Sequence, residues 1–112
     1  VNDRPYKLDG KTYCIKPQIG NSDESLNITI NNRGGRPYEV FLECQNPDLF
    51  QWLNFIGRCV STMLQRMDDI ERVITLMDET FDPRGKYIDK GVEYKSVVAH
   101  IGAILRRHVD NS

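Results

Sequence analysis

The chain lacks a charge surplus. Fifteen Lys and Arg stand against sixteen Asp and Glu in 112 residues, a formal charge of −1. A domain that tracks a nucleic-acid backbone ordinarily carries a basic excess, so this balance argues against DNA or RNA as partner. Apolar runs are also missing: nothing approaches the ~18 residues needed to span a bilayer, which excludes a helical membrane anchor in this sequence. The opening Val1-Asn2-Asp3-Arg4-Pro5 does not read as a signal peptide. Cysteine is scarce. Cys14, Cys44 and Cys59 stand far apart, with no CxxC and no Cys/His pair at metal-ligand spacing. Three reduced thiols in a cytoplasmic protein, without a metal, are the expectation. Asn27-Ile28-Thr29 fits a glycosylation acceptor but falls inside an expected strand, so it is read as coincidence.

What is present is a soluble composition, 39% hydrophobic and 28% charged, at the length of one domain. No repeat or linker divides it, so residues 1–112 are read as one unit: an arm over 1–10, a sheet over 11–44 and helices over 47–109. Asp9-Gly10 reads as a turn. Lys11 to Lys16 alternates as a short strand that Pro17 ends, and the polar residues 20–25 read as a loop. Leu26, Ile28 and Ile30 alternate with Asn27, Thr29 and Asn31, a half-buried strand. Asn32-Arg33-Gly34-Gly35 supplies a hairpin turn. The return strand runs from Arg36 to about Cys44, with Tyr38, Val40 and Leu42 on one side and Glu39, Phe41 and Glu43 on the other.

From Asp48 the period becomes helical. Asn46-Pro47 makes a start, and Leu49, Leu53, Ile56, Val60 and Leu64 lie in an apolar stripe wide enough to meet both a sheet and a second copy. Asp68-Asp69 opens a shorter helix with Ile70, Val73, Ile74 and Met77 inward. Residues 82–92 read as a loop. A last helix runs from about Glu93 to Val109, with Gly102 and Ala103 small enough for close helix approach. Three strands followed by three helices predict an α+β fold, one antiparallel sheet covered on one face by helices.

No nucleophile–base–orienter set is visible, and there is no GxSxG, P-loop or HExxH, so an enzyme is not expected. His100 reads as a hydrogen-bonded packing residue. Arg106, Arg107 and His108 complement the dipole of the last helix, and would form an anion pocket if other arginines joined them. Phe81-Asp82-Pro83-Arg84-Gly85 sets an arginine on a rigid turn, as a phosphate clamp requires.

Taken in order, Arg4-Pro5, Gly10-Lys11-Thr12-Tyr13, Asn27-Ile28-Thr29-Ile30 and Gly35-Arg36-Pro37-Tyr38-Glu39-Val40-Phe41 resemble the opening of the TSCPD domain. This domain occurs at the end of adenosylcobalamin-dependent ribonucleotide reductases and as separate small proteins. Phe81 to Gly85 with Tyr87, then Gly91, Tyr94, Ser96, Ile101-Gly102 and Arg107-His108, resemble the stand-alone branch. The Ser-Cys-Pro-Asp signature and the terminal cysteine pair are absent, so a redox-shuttle role is not implied. Lys86 and Lys95 stand where glycine and proline are the pattern.

The resemblance implies a non-catalytic, reductase-associated module that binds a nucleotide, with no cofactor of its own. A weaker architectural similarity, to phage Thoeris anti-defence proteins, implies sequestration of cyclic nucleotide or cyclic ADP-ribose signals without turnover. Either setting is cytoplasmic, in a bacterial cell or an infected host. The expected ligand residues are Arg36, Arg84, Arg106, Arg107 and His108 for phosphate, and Phe81 or Tyr87 for the base. The expected pocket lies between the 82–92 loop and the last helix. The expected partners are a nucleotide-type molecule, a reductase subunit and a further copy of the chain.

Overall fold

The computed structural model describes residues 4–17, 25–83 and 86–111. The predicted α+β architecture is what it shows. Strands β1 (Asp9–Ile15), β2 (Leu26–Arg33) and β3 (Arg36–Glu43) form an antiparallel sheet in that order. Helices α1 (Pro47–Gln65) and α2 (Ile70–Asp78) follow. A small hairpin of β4 (Tyr87–Asp89) and β5 (Val92–Tyr94) precedes α3 (Val97–Asp110). One core unites the layers: Leu26, Ile28, Ile30, Val40 and Leu42 from the sheet meet Leu53, Val60 and Leu64 of α1, Ile74 of α2 and Ile101 and Leu105 of α3.

Asp9-Gly10 is not a turn. Both residues sit in β1, opposite Asn32 and Asn31. The glycine is there for space, because a Cβ would collide with the Asn31 side chain. That side chain has work beyond the turn: its amide donates to the Glu39 carboxylate at 2.8 Å, one strand further on. Arg4 reaches the same carboxylate through Nε at 3.1 Å and Nη2 at 2.8 Å. Glu39, expected on an outer face, is therefore only 4% exposed. The guanidinium of Arg4 holds its carboxyl below the ordinary carboxylate range, against the opposing effect of burial. A register shift opposite Asn31 and Asn32 leaves Tyr38 unpaired in β3, which explains why four consecutive residues from Pro37 to Val40 are buried.

The edge of β3 is closed by α1. Ser61 Oγ accepts from the Val40 N–H at 2.9 Å and donates to the Val40 carbonyl at 3.1 Å. Gly57 lets the helix approach, since a Cβ there would stand 3.1 Å from the Val40 carbonyl oxygen. Asn46 caps α1 by accepting from Asp48 N–H, and Asp69 caps α2 by accepting from Glu71 N–H. Gly102 of α3 allows α2 to come close, a Cβ there falling 2.8 Å from that of Met77.

The segment expected as loop and helix start differs from expectation. Tyr87–Asp89 pairs with Val92–Tyr94, and Lys90 and Gly91 turn between them with φ of 51° and 80°. Two successive left-handed residues form the turn that matches strand twist. The last helix then begins at Val97, not Glu93, because Ser96 is its cap: Ser96 Oγ accepts from Ala99 N–H at 3.0 Å and donates to the Thr80 carbonyl at 2.7 Å. No helix among the described residues is long and apolar enough to cross a membrane.

Candidate functional site

A cleft of about 550 Å³ opens between β1, the β4–β5 hairpin and α3. Tyr13 lines it from β1 and Lys16 from just beyond that strand, Asp89, Lys90 and Tyr94 from the hairpin, and His100, Ile104 and Arg107 from the helix. The three helix residues follow at i, i+4 and i+7, one face of α3. The hairpin register sets Tyr87 opposite Tyr94 and Asp89 opposite Val92.

His100 is the centre of this arrangement, 1% exposed. Tyr94 stacks on its ring at 3.9 Å between centroids and an 11° interplanar angle. The Tyr87 hydroxyl donates to Nδ1 at 2.6 Å. Burial, with Asp89 and Tyr94 nearby, pushes the Tyr87 phenol far above its ordinary value, so it stays protonated; the Asp89 carboxylate beside Nε2 favours the tautomer in which Nδ1 is the acceptor. Burial likewise lowers the His100 pKa; Asp89 opposes this, and Arg107 and Lys90 reinforce it. The neutral ring then carries its proton on Nε2, which faces Asp89 Oδ2 at 3.7 Å. That gap is too long for a direct hydrogen bond. It leaves an N–H and a carboxylate side by side, able to recognise a hydroxyl or an amide. Arg107 is steadied by donating from Nη2 to the Tyr94 hydroxyl at 2.9 Å. A guanidinium has five N–H donors, so one bond orients it without exhausting it.

The residues expected to bind phosphate do not meet in one place. Arg107 lines the cleft and Tyr87 stands directly behind it, bonded to His100. Arg36 lies elsewhere, donating from Nη2 to the Asp68 carbonyl at 2.8 Å and so tying the hairpin to the α1–α2 connection. Arg106 forms a two-pronged pair with Glu71 of α2 at 3.1 and 3.2 Å. His108 is 4% exposed, with Nδ1 bonded to the Tyr13 hydroxyl at 2.7 Å and Nε2 to Asn32 Oδ1 at 2.8 Å. Phe81 is 69% exposed. Arg84 lies outside the described residues, as do Gly85 and most of the expected 20–25 loop.

Sequence reasoning did not single out Lys16, Asp89, Lys90 or Tyr94, and took His100 for packing alone. The His100–Ile104–Arg107 spacing marks the α3 face of the cleft, and no comparable spacing marks Lys16, Asp89 or Lys90. Among the described residues no group of three or more His, Cys, Asp or Glu stands together to hold a metal ion. A second groove of about 460 Å³ runs between β3 and α1. It pairs one cation, Arg58, with Glu39 and Glu43, so its charge does not favour an anion.

The family model of the TSCPD domain matches residues 4–109, nearly the whole chain. The chain belongs to the TSCPD domain family. Membership implies a ribonucleotide reductase-associated domain. No curated protein and no solved structure gives a significant match. In this TSCPD domain the cleft between β1, the β4–β5 hairpin and α3 lies within the matched residues.

Proposed function

We propose that this TSCPD domain is a non-catalytic accessory module that binds a phosphate-bearing nucleotide in the cleft between β1, the β4–β5 hairpin and α3. The observation that carries this reading is the charge of the cleft. Lys16, Lys90 and Arg107 surround a single carboxylate, Asp89. Such a surplus, on a domain whose overall charge is −1, attracts an anion to one place. Tyr13 and Val92 supply an apolar wall for a base, and the Nε2–H of His100 with Asp89 supplies a donor and an acceptor for a sugar hydroxyl. His100 is bonded to a phenol, and a phenol held above its ordinary pKa is a poor nucleophile, which supports a reading of binding without turnover.

The test is thermal stabilisation by deoxynucleotides, ribonucleotides, cyclic dinucleotides and cyclic ADP-ribose, since a ligand that binds only the folded chain raises its midpoint by mass action. Arg107→Ala should weaken the responding ligand about 10- to 100-fold. The ligand should be recovered intact. A response to ordinary nucleotides supports the reductase-linked role. A response confined to cyclic signals supports an anti-defence protein that sequesters them. No response to any of them, or equal affinity in Arg107→Ala, overturns the site.

A further inference from the structure

Helix α1 carries two apolar stripes, and the fold covers one. Leu53, Gly57, Val60 and Leu64 are buried on the side that packs against β3. Trp52, Ile56, Cys59 and Met63 each immediately precede one of these, so they form a second stripe rotated by about 100°. Trp52 is 62% exposed and the adjoining Phe55 64% exposed, while Ile56, Cys59 and Met63 are half-buried. Leu76 of α2 continues the surface, sharing with Met63 a shallow hollow that Asp68, Asp69 and Arg72 rim.

The same helix is nearly free of charge. From Leu49 to Gln65 only Arg58 is ionised, in a chain that is 28% charged, and Arg58 lines the groove toward β3 on the other side. Depletion of charge together with Trp, Phe and Met is the composition of an interface core, not of a solvated helix. We infer that the outer stripe of α1 is the interface of a two-fold dimer, with two α1 helices antiparallel and Trp52 of each protomer on Met63 of its partner.

Three features select a second copy as the occupant. A two-fold contact sets a surface against itself, which a charged face resists and this uncharged one permits. The 4-3-4 spacing of Trp52, Ile56, Cys59 and Met63 is that of a helix–helix seam. Apolar area is available for it: Trp52 and Phe55 alone leave on the order of 250 Å² per copy in water. Exposed Leu76 adds to that patch, which would form the apolar centre of an interface of ~800 Å² per partner.

The chain has one tryptophan, so its emission reports on this face alone. Sedimentation velocity and Trp52 fluorescence, followed from about 1 to about 300 µM, should show the mass doubling and the emission moving to shorter wavelength along one curve. Phe55→Glu brings two like charges to the seam and should weaken self-association by at least about 100-fold. Phe55 is exposed, so the variant should keep its far-UV circular dichroism and its response to the cleft ligand. A wild-type monomer throughout, a dimer with unchanged Trp52 emission, or an undiminished Phe55→Glu dimer each overturns the inference. A monomer whose Trp52 emission shifts only when a reductase is added overturns it in favour of a foreign partner.

Discussion

The two histidines of α3 stand eight residues apart and share almost every measure of environment. Both are buried, at 1% and 4% exposure, and burial lowers the pKa of each. Each accepts a hydrogen bond at Nδ1 from a tyrosine, Tyr87 for His100 and Tyr13 for His108. They part at the second nitrogen. His108 donates from Nε2 to Asn32 Oδ1, so α3 is fastened to β1 and β2 and the ring has nothing left to offer. His100 faces Asp89 across 3.7 Å at the edge of the cleft. Depth and the direction of the pKa shift therefore do not distinguish the two rings. Unspent hydrogen-bonding capacity does separate them.

The largest expected effect comes from removing each ring while keeping its bulk. His108→Leu leaves the Tyr13 hydroxyl and the Asn32 carbonyl oxygen without partners and should lower unfolding free energy by about 2–4 kcal/mol. His100→Leu strands only the Tyr87 hydroxyl and should cost about 1–3 kcal/mol. For cleft ligands the order reverses, with His100→Leu the more damaging. Urea denaturation and ligand titration on the two variants measure both orders. Equal losses of affinity would break the comparison.

A smaller effect is read from pH. The folded pKa of each ring lies below its ordinary 6.5. The unfolded chain therefore binds protons that the fold refuses, and this stabilisation is complete above 6.5 and is lost as pH falls below it. The slope contributed by each imidazole is at most about 1.4 kcal/mol per pH unit. Glu39, whose folded pKa is lowered, keeps its contribution until pH falls through the carboxylate range, so the two windows separate. Stability measured from pH 7 to pH 5 should decline in the wild type and flatten when both histidines are leucine. A steep decline that persists in the double variant would assign it to other groups.

The sheet and its helices were legible because period and caps agree. Leu26-Ile28-Ile30 could face only one way, and Asn46-Pro47 and Asp68-Asp69 mark helix starts by chemistry that needs no tertiary help. The β4–β5 hairpin was not legible. Its strands have three residues each, and its turn has lysine, not asparagine or aspartate, before the glycine. Losing that hairpin meant losing Asp89, Lys90 and Tyr94 as members of a site. Asp9-Gly10 misled for a related reason: the dipeptide favours a turn locally, and the need to admit Asn31 beside Glu39 is visible only across strands. Arginines at a helix end carry no record of their partners, so Arg106, held by Glu71, and Arg107, facing the cleft, looked alike.

The smallest expected effect sharpens the comparison most. Tyr87→Phe and Tyr13→Phe each remove one hydroxyl and leave one imidazole Nδ1 unpaired, at about 1 kcal/mol of stability. Donation from a phenol to Nδ1 favours the neutral ring, so its loss should raise the pKa of the histidine concerned toward 6.5. Proton titration followed by NMR should show His100 moving up in Tyr87→Phe while His108 stays in place. Tyr13→Phe should move His108 alone. With His108, the freed Nδ1 has no carboxylate near it among the groups that set its pKa, only Lys11, which opposes the charge. With His100, Asp89 favours the charge while Arg107 and Lys90 oppose it. A larger rise for His100 would mean that Asp89 outweighs the two cations at the ring, and an equal or smaller rise would mean that it does not.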